Sequence, residues 1–179
     1  MKCLVIYRSK SGYTKRYMEM LSESVGATMI ELSHLKSEVL SEYDTVVYAG
    51  GVYAGKINSI KKFQSMVELR KIDKIAIVAV GASPSTDHTR EKLIKDNMIF
   101  DSPEKNAAFF YLQGGFDPKK LNFALRTMLD TVSKSIQKKH LKSPETMTQE
   151  DLEFLDFFQS ANDHTSAENL TPIINYLTT

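Results

Sequence analysis

Six residues, Ser9-Lys10-Ser11-Gly12-Tyr13-Thr14, place three hydroxyls and a glycine directly behind an apolar run, Cys3 to Tyr7, and directly ahead of a helix-forming stretch. Two kinds of chemistry fit that spacing. One is structural: Ser11 caps the helix and Gly12 makes the turn. The other is anion binding. The first N–H groups of a helix lack intrahelical partners and form the positive end of its dipole, so a phosphate fits there. Gly12 would let the backbone approach the anion, and Ser9, Ser11 and Thr14 would add neutral donors. Each hydrogen bond to a charged group is worth about 1.5–3 kcal/mol. Three hydroxyls within one turn exceed what a cap needs. The residues alone still leave both readings open.

The elements that must position this loop alternate along the chain. Strands are expected at 2–7, 27–32, 44–50, 74–81 and 107–114. Four are near-continuous apolar runs, the pattern of parallel strands covered on both faces. The second is shorter and more mixed, as suits an edge. Helical stretches lie between them. One carries Tyr17, Leu21 and Val25 on one face and stops at Gly26. A second carries Ile60, Phe63, Met66, Val67 and Arg70 on a stripe, and a third, more polar, spans 86–98. A long one over 117–140 aligns Leu121, Leu125, Met128, Leu129, Val132 and Ile136. The connection at 33–43 has room for about two helical turns. This alternation predicts an α/β fold, a doubly wound five-stranded parallel sheet of order 2-1-3-4-5. Ligands of such sheets bind beyond the carboxyl ends of the strands where the order reverses. That singles out the loops after the first and third strands.

Composition bounds the rest. At 179 residues, 42% of them hydrophobic, the chain holds one domain with room for a core. Lys+Arg 23 against Asp+Glu 22 argues against a dedicated nucleic-acid binder. The single cysteine, Cys3, excludes an intramolecular disulfide and a multi-cysteine zinc site. The four histidines, His34, His88, His140 and His164, form no i, i+3 or i, i+4 pair, so no metal site is signalled. Only five apolar residues precede Arg8, too few for a signal sequence. No run reaches the roughly 18 apolar residues of a membrane helix, so a soluble, cytoplasmic protein is expected. Residues 1–140 form the expected domain. Residues 141–179 are more acidic and polar, with Phe154, Phe157 and Phe158 and a last apolar group of Ile173, Ile174, Tyr176 and Leu177. They are expected to be an extension that packs back on the domain. The basic stretch Lys134, Lys138, Lys139, His140 and Lys142 reads as a solvated helix C-terminus.

The order strand, S/T-x-S/T-G-x-T, helix resembles the phosphate loop of the flavodoxin family, here Ser9 to Thr14. The segments "YAGGVYAGKI" and "GGFDPKKLNF" extend the likeness toward the branch that includes the flavodoxin-like protoporphyrinogen oxidases. The resemblance implies a flavodoxin-like fold over 1–140 and FMN as cofactor. It implies that Ser9, Lys10, Ser11, Gly12, Tyr13 and Thr14 hold the 5′-phosphate. Gly51, Val52, Tyr53, Ala54 and Gly55 would then meet the isoalloxazine, with Tyr53 stacking on the ring. Gly81, Ala82 and Ser83 would cover its other side. Flavodoxins often place an aromatic in that third loop; here none occurs between Gly81 and His88, which leaves Phe116 as a substitute wall.

Gly50 to Lys56 also spells GxxxxGK, but the next residue is Ile57, where a triphosphate loop needs a hydroxyl for magnesium. No nucleophile–base pair or acid–base dyad stands out, so no catalytic residue is assigned and the chemistry is expected to be the flavin's. The expected function is electron transfer through bound FMN, with a redox protein or a small-molecule acceptor as partner. Two alternatives remain: a quinone- or porphyrinogen-linked oxidoreductase, and a flavin-free binding module of the same fold.

Overall fold

The computed structural model describes residues 2–68, 71–99, 107–120, 123–148, 151–152, 155 and 161–179. Arg70, Leu121, Phe154, Phe157 and Phe158, and the side chain of Leu125, lie outside them.

Five strands form the expected parallel sheet: β1 (Cys3–Arg8), β2 (Thr28–Glu31), β3 (Thr45–Tyr53), β4 (Lys74–Gly81) and β5 (Ala107–Gln113). Their order is β2-β1-β3-β4-β5. The central strands are apolar throughout because both faces are covered. Val5, Ile6, Val46, Val47, Tyr48, Ala49, Ala76 and Val78 are buried. One face packs α2 (Ile60–Val67) and α3 (Asp87–Asp96) through Ile60, Phe63, Val67 and Leu93. The other packs α1 (Tyr13–Val25) through Tyr17, Met18 and Leu21. Tyr48 of β3 stacks on Phe63 of α2, with ring centroids 4.5 Å apart. The connection at 33–43 contains a short 3-10 helix, Ser37–Glu42, anchored by buried Leu40.

By contact the chain divides into two compact units, residues up to Gly114 with His164–Thr179, and Gly115–Asp163. In the first, the helix α5 (Thr171–Thr178) sits beside α1, with Ile173 and Leu177 buried and Leu170 just ahead of it. Tyr17 of α1 ties the returning chain down. Its hydroxyl donates to the Gln113 carbonyl (2.7 Å) and accepts from Asn169 Nδ2 (2.7 Å). The Tyr176 ring lies 5.7 Å from that of Phe110.

The second unit contains the helix α4 (Phe123–Lys142), a 3-10 turn at Pro144–Thr146, and a ribbon pairing Gly115–Phe116 with Asn162–Asp163. On α4, Leu129 and Ile136 are partly buried, whereas Met128 and Val132 are exposed. The basic stretch ends this helix in solvent, and Lys139 pairs with Asp151 at 2.8 Å. Among the described residues, no helix is long and apolar enough to cross a membrane.

Candidate functional site

The strand register lines up the candidate loops. Arg8 pairs with Gly50, and Gly51 pairs with Val80. The chain therefore leaves β1, β3 and β4 at one end of the sheet, on adjacent strands. After β1 it turns to the α1 face, and after β3 to the α2 face. The divergence marks the switch point where the strand order predicts ligand binding.

The first loop is built for a tight turn. Gly12 has φ 94°, a conformation L side chains rarely adopt, and it caps α1 with no side-chain bond. A Cβ at this position would meet nothing within 4 Å, so the turn opens outward. The Ser9 hydroxyl accepts from the Gly12 N–H at 3.1 Å. That oxygen shapes the loop while keeping its own O–H to donate. The helical ladder starts with Arg16 N–H to the Gly12 carbonyl, 3.0 Å. Tyr13 points inward and is buried in the α1-side core. Lys10 is exposed, and its ammonium sits 4.9 Å from the centre of the Tyr53 ring.

The second loop differs from the sequence expectation. β3 does not stop at Gly50 but runs on to Tyr53, turns through Ala54 and Gly55, and pairs antiparallel with Lys56–Ile57. Ala54 and Gly55 both have positive φ, 47° and 74°, the signature of a two-residue hairpin turn. The periodicity missed it because alanine stands where Asn or Gly usually marks such a turn. The GxxxxGK match is thus strand, turn and strand, and Lys56 Nζ donates to the Asp96 carbonyl at 2.6 Å. A Cβ on Gly51 would lie 3.3 Å from the Thr14 hydroxyl and 3.1 Å from the Tyr53 ring. Thr14, Gly51, Tyr53 and Lys10 are therefore brought together.

The third loop is tied to the edge strand. The Tyr111 hydroxyl donates to the Ser83 carbonyl at 2.7 Å, and Gln113 Nε2 to the Ala82 carbonyl at 3.3 Å. Gly81 is buried against the Tyr111 ring, Ala82 is partly buried and Ser83 is exposed. Phe116 belongs to the second unit, on its two-residue strand. Burial pushes the Tyr111 phenol up to about 12. The folded state thus favours the neutral form. The stability this brings is complete below about pH 10, the unfolded value, and is lost as pH climbs toward 12. In Tyr111→Phe, thermal melts across that window should fall less steeply than in the wild type. An unchanged slope would remove Tyr111 as its source.

Two asparagines matter here that the sequence did not flag. Asn58 follows the hairpin; its N–H donates to the Gly51 carbonyl at 2.9 Å and its own carbonyl accepts from the Tyr48 hydroxyl. Its Nδ2 is a buried donor without a hydrogen-bond partner, which costs about 1–3 kcal/mol. Asn97, 3% exposed, reaches from the end of α3 to the hairpin. A lone Asn at a helix end reads as a stop signal, so nothing in the pattern pointed to either role. The four histidines are exposed, and no three His, Cys, Asp or Glu side chains cluster as metal ligands among the described residues.

The sequence profile described as the flavodoxin domain matches residues 4–143. No curated protein matches the chain. Among solved structures, it is similar to a flavoprotein in complex with FMN from Lactobacillus acidophilus NCFM, at 16% identity over 63% of this chain and 92% of that one, TM-score 0.47. It is also similar to a putative flavoprotein from Bacteroides eggerthii DSM 20697, at 17% identity over 73% and 96%, TM-score 0.44. The two-electron reduced flavodoxin of Megasphaera elsdenii matches at 9% identity over 62% and 84%, TM-score 0.44.

Proposed function

Since the chain belongs to the flavodoxin domain family, we propose that it binds FMN at the β1–β3 crevice and passes electrons through it. The observation that carries this reading is the convergence of the Gly12 turn with Thr14 and Gly51 at the strand-order switch. An open left-handed turn at a helix start suits the phosphate, with Ser11 and Thr14 as hydroxyl donors. The hairpin after β3 suits the flat ring, since Gly51 leaves room and Tyr53 supplies an aromatic face. FMN supplies the electron transfer; the chain supplies position and shields the ring from water.

The charge balance, +1 for the whole chain, favours a small-molecule redox partner, a porphyrinogen as electron donor or a quinone as acceptor, over a protein that docks by opposite charge. Adding the apoprotein to FMN while following flavin fluorescence tests the first claim. Saturable quenching with one FMN per chain is expected. A protein that neither quenches nor shifts the flavin spectrum refutes the reading and leaves the flavin-free binding module. Direct assay of quinone reduction and porphyrinogen oxidation by the loaded protein decides the second claim.

A further inference from the structure

The hairpin that follows β3 is held from outside its own strand. Asn97 is a polar side chain buried to 3% exposure at the C-terminal end of α3. Its Oδ1 accepts from the Ile57 N–H at 2.9 Å, and its Nδ2 donates to the Gly55 carbonyl at 3.0 Å. Nδ2 also donates to the Leu93 carbonyl at 2.9 Å, which fixes the amide to its own helix. Next to it, the Asp96 carbonyl accepts from Lys56 Nζ. The backbone just beyond is set for this reach: Met98 takes a positive φ of 51°, and the Ile99 N–H closes on the Ile94 carbonyl at 3.1 Å. A helix stop alone needs none of the contacts to residues 55–57. They bridge 40 residues or more of sequence and hold the carbonyl of the Gly55–Lys56 peptide and the N–H of the Lys56–Ile57 peptide that follows it.

We infer that Asn97 is a positioning residue for the cofactor: it locks the β3 hairpin in one backbone conformation and so presets the surface against which the ring binds. The inference rests on the FMN reading. With the Gly55 carbonyl and Ile57 N–H committed to Asn97, neither the Gly55–Lys56 nor the Lys56–Ile57 peptide can rotate without breaking a hydrogen bond, part-buried in the first and buried in the second. What the lock supplies is preorganisation, since a loop already in its bound conformation loses less freedom when the ligand arrives.

Two variants dissect the clamp. Asn97→Leu keeps the branched four-atom skeleton and removes all three bonds. Asn97→Asp keeps the acceptor for Ile57 and loses both donors. In the apoprotein, amide hydrogen exchange at Ile57 should speed up at least tenfold in Asn97→Leu, beyond any change at Val5 in the central strand. FMN should bind about tenfold more weakly to Asn97→Leu and about threefold more weakly to Asn97→Asp. Leu40→Ala, a core change on the 3-10 helix ahead of β3 rather than on the hairpin or α3, controls for lost stability and should bind FMN within twofold of wild type. Unchanged Ile57 exchange, or FMN weakening no greater in Asn97→Leu than in Leu40→Ala, overturns the inference. A wild-type protein that does not take up FMN refutes the functional reading instead, and Ile57 exchange then decides the lock by itself.

Discussion

Ser11→Ala combined with Thr14→Val should weaken FMN binding by about a hundredfold or more while the protein still folds. Two hydroxyls that each bond a charged phosphate contribute about 1.5–3 kcal/mol apiece. At 1.4 kcal/mol per factor of ten, the lower bound already gives that ratio. Thr14 is 3% exposed, and valine matches its shape, so packing is kept while the donor is removed. Ser11 is partly exposed at the turn and contributes no apolar core. Fluorescence titration of wild type and double variant reads the ratio directly. Equal affinities would show that the phosphate binds elsewhere.

Gly50→Ala should destabilise the fold by about 2–3 kcal/mol, the cost of forcing an extra methyl into a packed site. A Cβ there would lie 2.6 Å from Ile57 Cγ2 and 2.9 Å from the Asn58 carbonyl oxygen. Neither neighbour yields easily. Ile57 is 3% exposed, and the Asn58 backbone is bonded to Gly51. Gly50 itself is fixed between Arg8 of β1 and Ala79 of β4. The adjacent Gly51→Ala is the informative contrast. Its Cβ would touch the Tyr53 ring at 3.1 Å and the Thr14 hydroxyl at 3.3 Å, both side-chain atoms, so the fold should survive with little loss. Urea melts of the two variants make the comparison. A Gly50→Ala protein as stable as Gly51→Ala would show that the hairpin can lift off β3 freely.

The sheet was legible because its strands are written as runs. Val46, Val47, Tyr48 and Ala49 have no polar alternation, and only a strand covered on both faces has that pattern. The turn of the first loop was legible because Gly12, set directly between a strand pattern and a helix pattern, announces it locally. The hairpin was not, since its turn depends on Ala54 accepting a positive φ that no residue type announces. Nor were the roles of Asn58 and Asn97. The partner of Asn58, Gly51, comes within reach only through that same unannounced hairpin, and those of Asn97, Gly55 and Ile57, only after the chain has passed through β4 and α3. Local pattern records what a residue prefers, not what a distant segment brings to it.

The hydrogen bond from the His164 N–H to the Gly114 carbonyl, 2.8 Å long, joins the two points where the chain leaves and re-enters the sheet unit. Residues 115–163 are therefore spliced in at a single seam. Because the cost of closing a loop grows only with the logarithm of its length, about 0.6 kcal/mol per doubling, that seam is a natural place for the lineage to lengthen, shorten or exchange sequence. The sheet unit, whose α1 side is covered by α5, would keep both ends of that seam whatever the length of chain between them.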